Sequence, residues 1–211
     1  MYHRPYLYIT TLFAATLFLF GLFYDIHLLR LCTKPIPLLI LIYAVCRYHS
    51  TERAFLGALI FSVLGDIILE LPDQLPFAAG LGSFLIAHLL YIRCFLKIRP
   101  QWIWLPLIPI ILYCGTLFFF MQPNLGPLLI PVAIYVLVIS TMLWSASVYS
   151  YSHKFYLPLW GAIMFTISDS LIAINKFISE FQGARYSIII TYWIAQYLIF
   201  TLLSKDHSHE S

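Results

Sequence analysis

Long apolar runs alternate with short polar breaks along the chain, and eight of the runs approach the length of a membrane-crossing helix. They cover residues 6–24, 35–47, 54–71, 76–96, 102–121, 127–148, 156–176 and 186–203. A bilayer core needs about 20 apolar residues per helix, with a range of roughly 17–25. The second run is short. It is expected to start at Lys34-Pro35-Ile36-Pro37, because proline suits a first helical turn whose N–H groups lack partners anyway. Most breaks are short, so neighbouring helices should run antiparallel and pack. The pattern predicts an all-α, polytopic membrane helix bundle of about eight transmembrane helices. It forms a single transmembrane domain over residues 1–204, followed by a polar, disordered tail at 205–211 (KDHSHES).

Composition agrees with the pattern. Hydrophobic residues make up 62% of the 211 positions and charged residues only 10%, against about 25% charged in soluble domains. The mean hydropathy is +0.89. A net charge of +3, scattered among apolar runs, argues against a nucleic-acid partner. Cys32, Cys46, Cys94 and Cys114 form no C-x-x-C pair, which speaks against zinc or a disulfide framework. The first run is too long for a signal-peptide core and has no convincing cleavage site, so it is read as a mature helix. With the N-terminus inside, Arg4, Arg47, Arg53, Arg93, Lys97, Arg99, Lys154 and Lys205 fall on the inner side. Arg30, Lys34, Lys176 and Arg185 fall on the outer side. The positive-inside rule then places both termini in the cytoplasm, and the expected location is the bacterial inner membrane, as a multi-pass protein.

An internal echo adds a topological expectation. GALIFSVLGD (57–66) resembles GAIMFTISD (161–169), and Pro37–Tyr43 loosely echoes Pro131–Tyr135. The two stretches fall on helices that cross in the same direction, which would make two parallel four-helix halves.

Polar residues inside the runs carry the candidate chemistry, since ionisable groups deep in lipid are expensive and usually functional. Asp66 has Ser62 and Glu70 one turn away on either side. Asp169 lies beside Ser168, with Thr166 and Ser170 near. His88 shares a helical face with Phe84 and Tyr91, while Tyr192 and Gln196 mark another face four residues apart. Asp66 lies roughly 9 Å, and His88 roughly 17 Å, along its helix from the nearest relevant loop. Lys34, Asp66, Asp169 and Tyr192 lean to one side of the membrane. The expectation is a funnel with a headgroup-sized polar mouth and an apolar interior. Glu70, Asp73 and Glu180 stand near helix ends and are read as solvated. The many Phe and Tyr residues are read as lipid-facing or interfacial anchors.

No G-x-S-x-G or H-E-x-x-H motif is present, and a single deep histidine speaks against a metal site. A carboxyl kept protonated by burial can act as a general acid, while an ionised partner activates water. Two such acids suit cleavage of an acetal-like bond through an oxocarbenium ion. The same residues permit a proton-coupled transporter or lipid-handling protein, with Asp and His carrying the proton. They also permit a structural role, with the acids simply hydrogen-bonded.

Six motifs narrow these options. They are Lys34-Pro35-x-Pro37, F-S-x-x-G-D (61–66), F-x-x-G-L-x-x-F-x-x-x-H-x-x-Y (77–91), Pro131-x-x-x-Tyr135, G-A-x-x-F-x-x-S-D (161–169) and T-Y-x-x-A-Q (191–196). In this order the sequence resembles the YhhN-like membrane protein family, which includes the lysoplasmalogenases, and the motifs cover nearly the whole chain. The resemblance implies an intramembrane hydrolase that cleaves the vinyl ether bond of a lysoplasmalogen. The products would be a fatty aldehyde and glycerophosphocholine or glycerophosphoethanolamine. It implies Asp66 and Asp169 as an acid/base pair and Lys34 as a phosphate contact. His88, Tyr91, Tyr192 and Gln196 would orient substrate or tune the acids, with no metal or organic cofactor. The expected partners are a lysophospholipid substrate and membrane lipids, with the oligomeric state left open.

Overall fold

A computed structural model gives the fold, and it describes residues 5–48, 52–71, 75–97 and 101–203. The predicted break at Pro72–Gln74 with Asp73, the cations Arg4, Arg99 and Lys205, and the tail at 205–211 lie outside the described residues. Among the described residues every regular element is helical. The α-helices are α1 (Pro5–Phe23), α2 (His27–Thr33), α3 (Ile36–Tyr48), α4 (Arg53–Glu70), α5 (Leu75–Leu96), α6 (Leu107–Met121), α7 (Leu129–His153), α8 (Leu157–Phe177) and α9 (Ala184–Phe200). Two short 3₁₀ turns join α6 to α7.

Eight of these helices match the eight predicted runs, so the protein is an all-α, multi-pass membrane bundle. Among the described residues, five segments are long and apolar enough to cross a bilayer: 27–48, 77–96, 107–124, 126–153 and 157–177. Helices α1, α4 and α9 are apolar helices of 19, 18 and 17 residues. At 1.5 Å per residue, 18 residues span about 27 Å, close to the hydrocarbon thickness. Apolar side chains such as Leu12, Ile111, Leu112 and Phe119 are exposed along the helices, a surface suited to lipid.

Three differences from the sequence reading have local causes. The stretch between α1 and α3, read as a loop, contains α2. A left-handed residue, Asp25 at φ 54°, ends the first helix and lets the chain turn into the second. Helix α6 begins at Leu107 rather than near residue 102. Trp102 and Trp104 instead stack on Trp144 of α7, at ring-centre distances of 5.4 and 5.3 Å. Helix α7 continues to His153, where Lys154 adopts the left-handed conformation (φ 52°) that closes a helix C-terminus.

The chain divides into two compact units, Met1–Ala87 and His88–Ser211, with the boundary inside α5. In the first unit α1 packs on α2 and α3, and both α2 and α3 pack on α4. Phe18, Leu38, Leu41, Phe55 and Leu59 form its core. Gly65 of α4 makes room for the N-terminal half of α5: a Cβ there would stand 2.6 Å from the Phe84 ring. Ser83 donates to the carbonyl of Phe61, a polar link of the kind that joins helices where water is absent.

In the second unit α6 packs on α7 and α8, α7 on α8, and α8 on α9. The α8–α9 pair is tight because Gly161 has no side chain. A Cβ there would lie 2.7 Å from the backbone nitrogen of Ile199 and 2.9 Å from the carbonyl oxygen of Ala195. Ser168 adds a hydroxyl bond to the Ile188 carbonyl across the same interface. The aromatics divide more evenly than the lipid-facing reading expects. Phe13, Phe119 and Phe120 do face outward, but Phe55, Tyr91, Phe95, Tyr149 and Phe165 are fully buried as core. Large flat rings fill the gaps between helices where edge-to-face packing is favourable.

Candidate active site

The second unit gathers five of the seven predicted site residues. Asp169 stands in the second half of α8, eight residues before its end. Its Oδ2 accepts the Tyr135 hydroxyl of α7 at 2.6 Å. His88 Nε2 of α5 lies 3.1 Å from the same oxygen and 3.0 Å from the Tyr135 hydroxyl oxygen. Three helices thus converge on one carboxylate oxygen. Asp169 keeps 12% of its side chain accessible, whereas His88 is fully buried behind it.

The hydrogen-bond pattern restricts the protons. An ionised Asp169 only accepts, so Tyr135 and His88 both donate to it, and the histidine proton sits on Nε2. Among the described residues His88 Nδ1 is buried with no hydrogen-bond partner. A bare ring nitrogen is a cheaper orphan there than an N–H would be, which favours the tautomer that donates from Nε2. A carboxylate at this position, oriented by two neighbouring donors and partly accessible, can accept a proton.

Packing holds this arrangement. Phe165, one turn before Asp169 on α8, meets three of the predicted residues edge-on. Its ring centre lies 4.6 Å from that of His88, 6.4 Å from that of Tyr91 and 5.4 Å from that of Tyr192. Tyr91 donates its hydroxyl to Gln196 Oε1 of α9 at 2.5 Å, with both side chains fully buried. Tyr192 is likewise buried. Tyr91, Tyr192 and Gln196 therefore wall the site rather than open onto solvent.

The other two predicted residues belong to the first unit. Asp66 is buried in α4, one turn after the fully buried Ser62. Lys34 caps α2, and its ammonium lies 3.3 Å from Glu70 Oε2. Glu70 corrects the expectation of a solvated helix-end residue. Only 13% of its side chain is exposed, and its other oxygen takes Arg30 Nε at 2.7 Å. Arg30 also reaches Asp25 at 2.5 Å, and His27 contacts the Glu70 carbonyl at 2.8 Å. The reason is α2 itself: read as loop, the segment offers no cause for Arg30 to face α4, but as a helix it presents His27, Arg30 and Lys34 along one side. Two cations and two anions balance there, with Arg30 buried and Asp25 open to solvent.

Sequence reasoning did not pair Tyr135 and Phe165 with Asp169, or Arg30 with Glu70. Tyr135 had a signal, the Pro131-x-x-x-Tyr135 motif, and Phe165 lies at the i−4 position from Asp169. No sequence signal pairs Arg30 with a residue 40 positions away. Among the described residues no group of three His, Cys, Asp or Glu side chains is placed to hold a metal.

A multi-pass helical membrane protein with a partly accessible Asp held by a buried His and Tyr is the class these features define. The chain belongs to the YhhN family, whose model matches residues 29–203. It is 31% identical to the lysoplasmalogenase TMEM86B of Sus scrofa over 177 residues, 83% of this chain and 74% of the relative. It is 34% identical to the lysoplasmalogenase TMEM86A of Bos taurus, over 77% of this chain and 69% of that protein. A lysoplasmalogenase of Mycobacterium bovis is 34% identical over 74% of this chain and 62% of the relative. No solved structure matches the chain.

Proposed function

We propose that this protein is a lysoplasmalogenase, a membrane hydrolase that cleaves the vinyl ether of a lysoplasmalogen with water. The products are a fatty aldehyde and glycerophosphocholine or glycerophosphoethanolamine. The names of relatives in mammals and mycobacteria support the activity. The observation that carries the chemistry is the Asp169 carboxylate, held by Tyr135 and His88 and still partly accessible.

In this reading a carboxylic acid delivers its proton to the outer vinyl carbon, and the ether oxygen stabilises the resulting oxocarbenium ion. Water adds to the carbon bonded to that oxygen, giving its proton to a carboxylate. The hemiacetal then loses the glycerol oxygen as an alcohol and becomes the aldehyde. The pair proposed for these transfers is Asp66 and Asp169. Asp169, with two fixed donors, suits the ionised partner that takes the water proton, and Asp66 suits the acid. His88 and Tyr135 position Asp169, while Tyr91, Tyr192 and Gln196 shape the wall. Lys34 is the weaker candidate for the phosphate, because Glu70 already neutralises it.

The protein is read as one membrane domain over residues 1–204, in a bacterial plasma membrane with both termini cytoplasmic. The test is aldehyde release from lysoplasmenylethanolamine and lysoplasmenylcholine by purified protein, with Asp66→Asn and Asp169→Asn alongside. Wild-type turnover that vanishes in both variants at unchanged melting supports the reading. A folded wild type that releases no aldehyde from either lipid overturns it.

A further inference from the structure

We infer that the loop between α8 and α9 is the subsite for a zwitterionic glycerophospho-base headgroup, with Arg185 taking the phosphate and Glu180 the cationic amine. The inference rests on the lysophospholipid reading above and gives it an address.

The loop forms a groove of about 540 Å³ lined by Asn175, Glu180, Phe181, Arg185 and Tyr186 among others. That volume falls within the usual range of ligand clefts, roughly 300–1,000 Å³. The groove has a defined floor. Asn175 Oδ1 accepts the Phe181 N–H at 3.2 Å, and the Ala184 N–H bonds to the Phe181 carbonyl at 3.3 Å. Gly183, at φ 80°, turns the chain into α9. One anion, one cation and two aromatic rings therefore share a single concave surface, which is the complement of a phosphate joined to an ammonium.

Its place along the helices suits a headgroup. Arg185, Ile189, Tyr192 and Gln196 recur at helical spacing on one stripe of α9, and the last three are buried. Arg185, which is exposed, stands at the mouth of the stripe that walls the candidate site. On α8, Asn175 lies six residues beyond Asp169, about 9 Å by helical rise. That separation is comparable with an extended glycerol between its phosphate and the vinyl carbons. Tyr135 lies only six residues into α7, whose start is at the same end: Asn124 in the α6–α7 connection donates to the Phe177 carbonyl at 2.6 Å. The cluster and the groove thus belong to one end of the second unit, with the groove outermost.

Charge distribution gives independent support. In the topology expected from sequence, Arg185 falls on the side that the positive-inside pattern leaves poor in cations. Two of the cations on that side, Arg30 and Lys34, are held by Glu70 and Asp25. In the groove itself Arg185 and Glu180 are the charged lining residues, so one cation and one anion face a ligand there.

The test measures binding of uncleavable ether analogues to purified protein in detergent. The ligands are 1-O-alkylglycerophosphoethanolamine, its choline counterpart, 1-O-alkylglycerophosphate and 1-O-alkylglycerol. Wild type should bind the two zwitterions about tenfold or more tighter than the alkylglycerol, and Arg185→Gln should remove most of that difference, as the loss of a charge-assisted hydrogen bond implies. Arg185→Lys should retain part of it. Glu180→Gln should weaken the zwitterions a fewfold without weakening alkylglycerophosphate. Wild-type affinity for all four ligands in Arg185→Gln, at unchanged melting, overturns the assignment. Headgroup-dependent binding without aldehyde release from the vinyl lipids would retain the subsite and overturn the hydrolase reading. Aldehyde release with affinities indifferent to Arg185 would do the reverse.

Discussion

Tyr135 donates its hydroxyl to Asp169 Oδ2 at 2.6 Å, from a helix 34 residues away in sequence. A carboxylate held in this way keeps one orientation and one proton-accepting face. Tyr135→Phe should lower kcat for aldehyde release about ten- to a hundredfold, below the full loss expected of Asp169→Asn. KM and the melting temperature should stay near wild type. A fall in melting with kcat intact would make Tyr135 a structural residue only.

Glu70 neutralises a buried guanidinium, and its removal should be felt as stability. Among the described residues, Glu70→Gln leaves Arg30, 7% exposed, with the solvent-facing Asp25 as its carboxylate partner. The expected cost is about 1–3 kcal/mol, that of stripping a charged group of a buried partner. Lys34→Met removes a longer contact of 3.3 Å and should cost less, about 0–1 kcal/mol. Thermal denaturation in one detergent ranks the two, and equal melting of Glu70→Gln and wild type would contradict the buried-cluster geometry.

The Tyr91–Gln196 bond invites a double-mutant cycle. Each partner is fully buried, so Tyr91→Phe alone removes the donor to Gln196 Oε1 and should cost about 1–3 kcal/mol. Combining it with Gln196→Leu should cost less than the sum of the single changes, with a coupling of at least about 0.5 kcal/mol. Additive losses would mean that the two groups do not bond.

Glycines rank by what a methyl would strike. At Gly161 the added carbon meets α9 backbone at 2.7 Å, and helix backbone cannot step aside. At Gly65 it meets the Phe84 ring at 2.6 Å, which can tilt or be shortened. At Gly82 it meets nothing within 4 Å. Gly161→Ala should therefore destabilise most, by about 1–3 kcal/mol or more. Gly65→Ala should be relieved in part by Phe84→Leu, and Gly82→Ala should be neutral or slightly stabilising. Melting of the series checks the order.

The eight principal helices were legible in the sequence because lipid imposes a length and a hydropathy on each span, and both are local properties. Asp66, His88 and Asp169 were legible as site candidates for a related reason: a titratable residue in an apolar run is costly wherever the chain goes. The ordered motifs carried the family. Tertiary structure alone decided the partners. Tyr135 becomes the ligand of Asp169, and Phe165 the shared packing surface of His88, Tyr91 and Tyr192, only when their helices converge. Glu70 changed from a presumed solvated end to the centre of a charge cluster because α2, too short to register as a span, turns His27, Arg30 and Lys34 toward α4. Hydropathy along a chain reports what each segment must avoid. The hydrogen bonds that repay a buried polar group are set by which helices meet, and that information is spread over residues far apart in sequence.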